Sequence, residues 1–125
     1  MTADNTIENA CTEADWFLHR IDFAERECVF LRTSKGHLDA VAFHDGRSAL
    51  SDTGESMTIP LDAALEWHRV EPRQPPPRIR LLTHTSFCGS TLLARCLGDL
   101  PGVVSYREPQ PLIEWSDWAQ SRSPD

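Results

Sequence analysis

The sequence has no long apolar run and no cluster of basic residues, and each absence excludes a class of protein. Its uninterrupted hydrophobic stretches are a few residues long, whereas a membrane-spanning helix needs about 20, so no membrane association is expected. The formal net charge is −7, and no Lys/Arg run forms a local basic patch. Because such a chain repels a polyanion, nucleic acid is not an expected partner.

Signals for export and for metal binding are missing as well. The N-terminus has neither the basic start nor the apolar core of a secretory signal, and we therefore expect a cytoplasmic protein. The four cysteines form no C-x-x-C pair, so zinc ribbons and redox motifs are unsupported, and thiols are expected in a reducing compartment. The histidines lack the spacing of metal ligands, and solvated or core positions suit them better.

The first half of the chain has the pattern of a small β-rich unit. A length of 125 residues predicts one domain or two very small ones. Residues 1–15 are polar and are predicted to be a flexible or loosely helical N-terminus. Residues 16–70 are predicted to form an accessory domain, in which runs at 17–23, 28–31 and 38–43, with turns at 34–36 and 45–46, indicate an antiparallel meander. A brief fourth run lies near 57–59, and a short helix is predicted over 60–68.

A proline-rich segment over 71–78 separates this unit from the rest of the chain. It contains three consecutive prolines, which favour polyproline II and cannot lie inside a helix or a central strand. We interpret it as a semi-rigid linker, because it is short and lies between two folded patterns. A ligand for a proline-recognition domain is the alternative.

The segment after the linker has the order strand, loop, helix, strand. A strand is predicted over 78–83, and the following helix has an apolar face formed by residues 93, 96, 97 and 100. Pro101 and Gly102 end this helix, and a second apolar strand is predicted over 103–106. This order predicts a βαβ unit with a parallel sheet. A later short helix over 112–120 carries Trp115 and Trp118, which suit core packing or a dimer patch.

The loop between the first strand and the helix has the composition of an anion-binding loop. Gly89 lets the backbone approach a ligand closely, while Ser90 and Thr91 add hydroxyl donors where the first N–H groups of the helix lack acceptors. The ATP/GTP pattern G-x-x-x-x-G-K-[ST] is matched only in part, because His84 replaces its first glycine and Ser90 replaces its lysine. A capped helix start without a ligand is the alternative.

The wider string resembles the start of the sulfotransferase catalytic domain. The matching residues are Phe87-Cys88-Gly89-Ser90-Thr91-Leu92-Leu93-Ala94-Arg95, then Pro101-Gly102-Val103 and Arg107-Glu108-Pro109. The family opens with a strand, a loop of the type basic-Ser-Gly-Thr-Thr-Leu, a helix and a second strand, and the resemblance covers roughly a third of the chain. It implies an α/β fold class: a truncated P-loop (sulfotransferase-like) βαβ unit over 79–125, preceded by a small, mainly antiparallel β (α+β) N-terminal domain.

The same resemblance implies a reaction and a site. A sulfotransferase moves a sulfuryl group from 3′-phosphoadenosine 5′-phosphosulfate (PAPS) to a hydroxyl of a small-molecule or protein acceptor, without a metal. The residues implied to bind the co-substrate are Ser86, Phe87, Cys88, Gly89, Ser90 and Thr91. Phe87 replaces the family's Lys or Arg, which steadies the bridging oxygen as the sulfuryl group leaves. Glu108 falls where the similar tyrosylprotein sulfotransferases carry a glutamate general base, and a structural ion pair is its alternative role.

The resemblance covers only the beginning of a sulfotransferase domain, which binds the 3′-phosphate with an arginine and a serine well beyond the second strand. Two strands and two helices cannot cover both faces of a parallel sheet. We therefore expect a fragment, a truncated reading frame, or a chain that completes itself by association, a homo-oligomer included. Two rival functions are a P-loop nucleotide-binding or kinase-like protein, which would bind ATP with magnesium, and a non-catalytic interaction module.

Overall fold

The computed structural model describes residues 3–47, 49–51, 53–70, 78–85 and 88–122. Within these ranges the fold is mixed α and β, with five helices and one three-stranded antiparallel sheet. In chain order the elements are α1 (Ala3–Thr12), β1 (Trp16–Asp22), β2 (Glu27–Arg32), α2 (Lys35–Ala40), β3 (Ser56–Pro60), α3 (Leu61–Val70), α4 (Ser90–Gly98) and α5 (Gln110–Ser121). None of the helices in this described part is long and apolar enough to cross a bilayer.

The sheet is a meander in the order β1-β2-β3, as the alternating runs at its first two strands predict. β1 and β2 form a hairpin with an irregular register between Leu18 and Arg20. The carboxylate of Asp22 closes the turn, because it accepts hydrogen bonds from the amides of Ala24 and Glu25 at 3.1 and 3.0 Å. A side chain that bonds to the backbone two residues further on mimics a backbone turn, and Arg26, with a φ of 58°, takes the left-handed position of this turn.

Apolar residues on the two sides of the sheet belong to two small clusters. Neighbouring residues of a strand point to opposite faces, so Phe30 packs in one cluster while Leu31 packs against the other. The buried members of the first cluster are Ala10, Cys28, Phe30 and Ile59. Those of the second are Phe17, Leu38 and Leu50. α1 therefore covers one face of the sheet, and α2 with the segment before β3 covers the other.

The predicted third strand at 38–43 is wrong. Residues 35–40 form α2, and the third strand of the sheet is β3, where the brief fourth run was predicted. The side chain of Ser34, interpreted from the sequence as part of a hairpin turn, instead caps α2 by accepting from the amide of His37 at 3.1 Å. This cap stabilises the helix start, and burial of Leu38 under the sheet fixes the helix in place.

The helix predicted over 60–68 is confirmed as α3, and the later predicted helices are confirmed as α4 and α5. The N-terminal segment contains α1. Residues 71–77 of the predicted linker lie outside the described residues, so the linker and the domain boundaries stay predictions.

The parallel βαβ arrangement is not present among the described residues. Neither 78–83 nor 103–106 pairs as a strand, although both were predicted to do so. The side chains of Ile79 and Leu81 are 74% and 80% exposed. Apolar side chains of α4 are also exposed, to a lesser degree. A parallel pair of apolar strands needs helical layers on both faces, and this part of the chain supplies too few elements to build them.

The C-terminal part is nevertheless attached to the sheet through α5. The carboxylate of Glu114 accepts from the amide of Ile21 in β1 at 2.6 Å. Beyond the end of β1, the rings of Phe23 and Trp118 stack with centroids 4.7 Å apart. Trp118 therefore packs against the sheet unit, which fits the first of the two alternatives, core packing or a dimer patch, whereas Trp115 on the same helix is 55% exposed.

Candidate functional site

The loop that precedes α4 ends in a glycine with a left-handed backbone conformation. Gly89 is the N-cap of α4 and has a φ of 79°. A Cβ added there would meet no atom within 4 Å. The glycine is therefore required by the backbone conformation, which L side chains adopt only with strain, and not by lack of space.

The N-terminus of α4 has no partner of its own among the described residues. No side chain caps it, and its first turn contains no acidic residue. The carbonyl of Gly89 accepts the regular helical hydrogen bond from the amide of Leu93 at 3.1 Å. The leading N–H groups and the positive end of the helix dipole are thus not compensated by a carboxylate, which favours a bound anion.

An open cavity of about 320 Å³ lies beside this helix start. Its lining comes from the segment before the loop and from the first turn of α4: Leu82, Thr83, His84, Thr85, Cys88, Gly89, Ser90 and Leu93. Small-molecule sites occupy roughly 300–1,000 Å³, so this cavity is at the small end of that range. Hydroxyl and imidazole groups accompany the backbone amides, and the arrangement suits an oxyanion with part of a larger ligand.

The predicted loop residues are in part brought together there. Cys88, Gly89 and Ser90 line the cavity, and Thr91 follows within the first turn of α4. Ser86 and Phe87 lie outside the described residues. The phenylalanine in place of a basic residue is thus known from the sequence only.

Glu108, the predicted general base, does not line this cavity. Its carboxylate forms an ion pair with the guanidinium of Arg47 at 2.5 Å, and that guanidinium also lies over the ring of Phe43 at 3.8 Å. The side chain of Glu108 is 39% exposed, and its φ of 51° is in the left-handed region. A non-glycine residue held in that region is strained, and such strain is concentrated at functional sites.

A buried polar cluster directly before Glu108 was not found by sequence reasoning. His44 is 0% exposed and Arg107 is 4% exposed. The two backbones are joined, because the amide of His44 donates to the carbonyl of Arg107 at 2.7 Å and the amide of Arg107 donates to Nδ1 of His44 at 3.2 Å. Nη2 of Arg107 donates to the carbonyls of Leu38 and, at 2.7 Å, Val41. The Arg-Glu-Pro string was a signal for Glu108, but nothing in it marks Arg107 as buried.

The surroundings of His44 favour the neutral form of its imidazole. Burial lowers the pKa of His44, the hydrogen bond to the Leu38 carbonyl opposes this effect, and the charge of Arg107 lowers the pKa further. With Nδ1 accepting from an amide, Nε2 carries the proton that is donated to Leu38 at 3.0 Å. The ring therefore connects α2 with the segment that leads into α5.

No protein-family model, curated protein or solved structure matches the chain. The resemblance to sulfotransferases thus depends on the loop, the helix and the second turn of this sequence, and it stays a prediction. Among the residues that the structure describes, no group of three or more His, Cys, Asp or Glu side chains could hold a metal ion.

Proposed function

We propose that the chain binds the phosphosulfate group of PAPS at the start of α4, as the N-terminal part of a sulfotransferase domain. The observation that carries this proposal is the left-handed Gly89 directly before an uncapped helix, beside a cavity that Ser90 also lines. A helix start of this kind attracts a tetrahedral oxyanion without a basic side chain.

In the proposed complex, backbone N–H groups and hydroxyls of Ser90 and Thr91 donate to the non-bridging oxygens of the phosphosulfate. The acceptor hydroxyl attacks sulfur, a new S–O bond forms, and the bond between sulfur and the bridging phosphate oxygen breaks. The electron pair leaves with the phosphate, and the proton of the acceptor passes to a base. Binding of the phosphosulfate group involves the cavity formed by the segment before the loop, the loop and α4, whereas transfer also requires a base and charge at the bridging oxygen.

Glu108 is the base that the resemblance implies, but it does not line the cavity at Gly89, so its role in transfer requires that further structure or a movement bring it to the acceptor hydroxyl. The ion pair with Arg47 and the strained backbone fix its place, and its side chain is partly open to solvent. Neither Arg95 nor Arg107 lines the cavity at Gly89, so neither supplies the charge that the family carries at position 87. Binding and transfer are therefore separate claims.

Exposed apolar residues around the proposed site support a domain that is completed by further structure. Residues of the segment before the loop and of α4 contribute them: Ile79, Leu81, Leu82, Leu92, Leu93 and Leu97. Apolar surface of this kind marks an interaction surface. The proposal is that additional strands and helices, or a second molecule, cover it in the active protein.

Isothermal titration of the chain with PAPS and with 3′,5′-adenosine bisphosphate tests the binding claim. We expect heat with both nucleotides, and we expect Gly89→Asp to weaken binding by at least about tenfold, because a carboxylate would take the place of the anion. Gly54→Asp is the matched control, since Gly54 also has a positive φ, of 73°, and also has no atom within 4 Å of an added Cβ.

Three outcomes would contradict the proposal. No heat with either nucleotide would remove the binding claim. An equal loss in both aspartate variants would show that the effect comes from backbone strain and not from the anion. Binding of ATP that requires magnesium, without binding of PAPS, would favour the nucleotide-binding or kinase-like alternative.

A further inference from the structure

Two of the four cysteines lie in the apolar cluster between α1 and the sheet. Ile7, Ala10 and Cys11 occupy one face of α1 at helical spacing, and all three belong to this cluster or pack against it. Cys28 is on the central strand β2, is only 3% exposed and is a buried member of the same cluster. The face of α1 that carries Cys11 therefore packs on the face of the sheet to which Cys28 points.

The two thiols also influence one another electrostatically. Burial raises the pKa of the Cys28 thiol, and the charge that Cys11 carries when it is ionised raises this pKa further. One ionisable group shifts another in this way when the two are close together. Neither cysteine forms a disulfide in this structure. The shared cluster and this interaction together make Cys11 and Cys28 neighbouring thiols across the contact between α1 and the sheet.

Cys11 and Cys28 differ in their access to solvent. Cys11 is partly exposed in the last turn of α1, which ends at Thr12, whereas Cys28 is buried. Oxidation of a cysteine requires a thiolate that the oxidant can reach. Cys11 is therefore the thiol that reacts first. Cys28 needs no contact with the oxidant, because it can attack the oxidised sulfur of Cys11 from within the cluster.

We propose that Cys11 and Cys28 are a site of oxidative modification, at which hydrogen peroxide converts the two thiols to a disulfide that joins α1 to β2. The thiolate of Cys11 attacks one oxygen of the peroxide, so that an S–O bond forms, the O–O bond breaks and the released hydroxide takes up a proton to become water. The thiolate of Cys28 then attacks the sulfenic sulfur, an S–S bond forms, the S–O bond breaks and a second water leaves. Two electrons pass from the two sulfur atoms to one peroxide, and a thiol reductant reverses the modification.

The disulfide would change how firmly α1 is held. A helix of ten residues is marginal in water on its own, so α1 depends on its packing against the sheet. A cross-link that closes a loop of roughly 15 residues stabilises the folded state by limiting the freedom of the unfolded chain. Neither cysteine lines the cavity at Gly89, so this inference does not depend on the proposed function.

Mass spectrometry of the full chain tests the proposal, after reduction and then treatment with about one equivalent of hydrogen peroxide. Trypsin cleaves after Arg20, Arg26 and Arg32, which places Cys11 in the peptide 1–20 and Cys28 in the peptide 27–32. With the remaining thiols alkylated and no reductant present, we expect these two peptides to be joined and to be lighter by two hydrogen atoms than their sum. Dithiothreitol should separate them. The midpoint of thermal unfolding should be about 10 °C higher for the oxidised chain than for the reduced chain.

Two variants control for the other thiols. Cys11→Ser should show neither the joined peptides nor the rise in the midpoint. Cys96→Ser removes an exposed cysteine of α4 and should keep both. Higher oxidation of Cys11 without a link to Cys28 would overturn the proposal, as would links that involve only Cys88 or Cys96. A link between the expected peptides that fails to raise the midpoint would also overturn it, because the two sulfur atoms would then not meet within the native packing.

Discussion

Replacing Glu108 with glycine should make the chain more stable while it removes the proposed base. The φ of Glu108 is 51°, a conformation that costs an ordinary L residue about 1–2 kcal/mol and costs glycine almost nothing. Most single substitutions destabilise a protein. A stabilising change at a charged residue would thus show that the fold tolerates strain at this position.

The magnitude follows from three contributions. Relief of strain favours the glycine variant by about 1–2 kcal/mol. Loss of the ion pair with Arg47 costs between about 0 and 1 kcal/mol, because both side chains are partly exposed to solvent. The greater freedom of glycine in the unfolded chain costs about 0.4–1 kcal/mol. The net change lies between about −1 and +1.6 kcal/mol, with a central value of a few tenths in favour of glycine. The comparison with Glu108→Gln removes the ion-pair contribution, since the glutamine variant also loses the ion pair but keeps the strain.

Urea denaturation monitored by tryptophan fluorescence gives the free energy of unfolding for each variant. We expect Glu108→Gly to exceed Glu108→Gln by about 1 kcal/mol, and both to lack any sulfotransferase activity that the unaltered chain shows with PAPS. Arg26→Gly is the matched control, because Arg26 has a φ of 58° and also pairs with a carboxylate, that of Asp62. If the glycine variant is no more stable than the glutamine variant, the strain argument is refuted.

Two further predictions concern pH and surface exposure. Burial is the largest cause of the lowered pKa of both His19 and His44, so below about pH 6.5 the unfolded chain binds more protons than the folded chain. The free energy of unfolding should therefore fall as the pH falls from about 6.5 toward the folded-state pKa values, and it should be nearly constant above about pH 6.5. Urea titrations at several pH values measure this dependence. The exposed Ile79 and Leu81 should cause self-association and binding of the dye ANS, and Leu81→Lys should reduce both; a monodisperse chain without dye binding would contradict this expectation.

The parts of the fold that were predictable have local signals. The helix α3 follows Pro60 and has apolar residues at helical spacing, and the first hairpin alternates between its two faces. The incorrect prediction of a third strand at 38–43 also has a physical cause. A short apolar run such as 38–43 has no periodicity that separates a strand from a helix, and the Ser34 cap and the packing of Leu38 decide the outcome.

The loop at Gly89 and the contacts of Arg107 and Glu108 also differ in whether the sequence carries a local signal for them. The loop at Gly89 is contiguous in sequence, and the need for a left-handed residue before a helix can be read from the chain. The cluster of His44 and Arg107 joins residues 63 positions apart, so no local pattern indicates it. The pairing of Glu108 with Arg47 spans 61 positions, and only the alternative of a structural ion pair, without its partner, could be stated from the sequence.

The unpaired segment before the loop has a consequence for anion binding at Gly89. A site holds a ligand tightly when its donors are fixed before binding, and ordering them during binding reduces affinity. Residues 78–85 line the cavity at Leu82 to Thr85 but are not held in the sheet. Structure that pairs with this segment would fix one wall of the cavity and so strengthen anion binding. By linkage, a bound anion would strengthen that pairing by the same factor. Anion binding at Gly89 and pairing of the exposed apolar segment are therefore thermodynamically coupled.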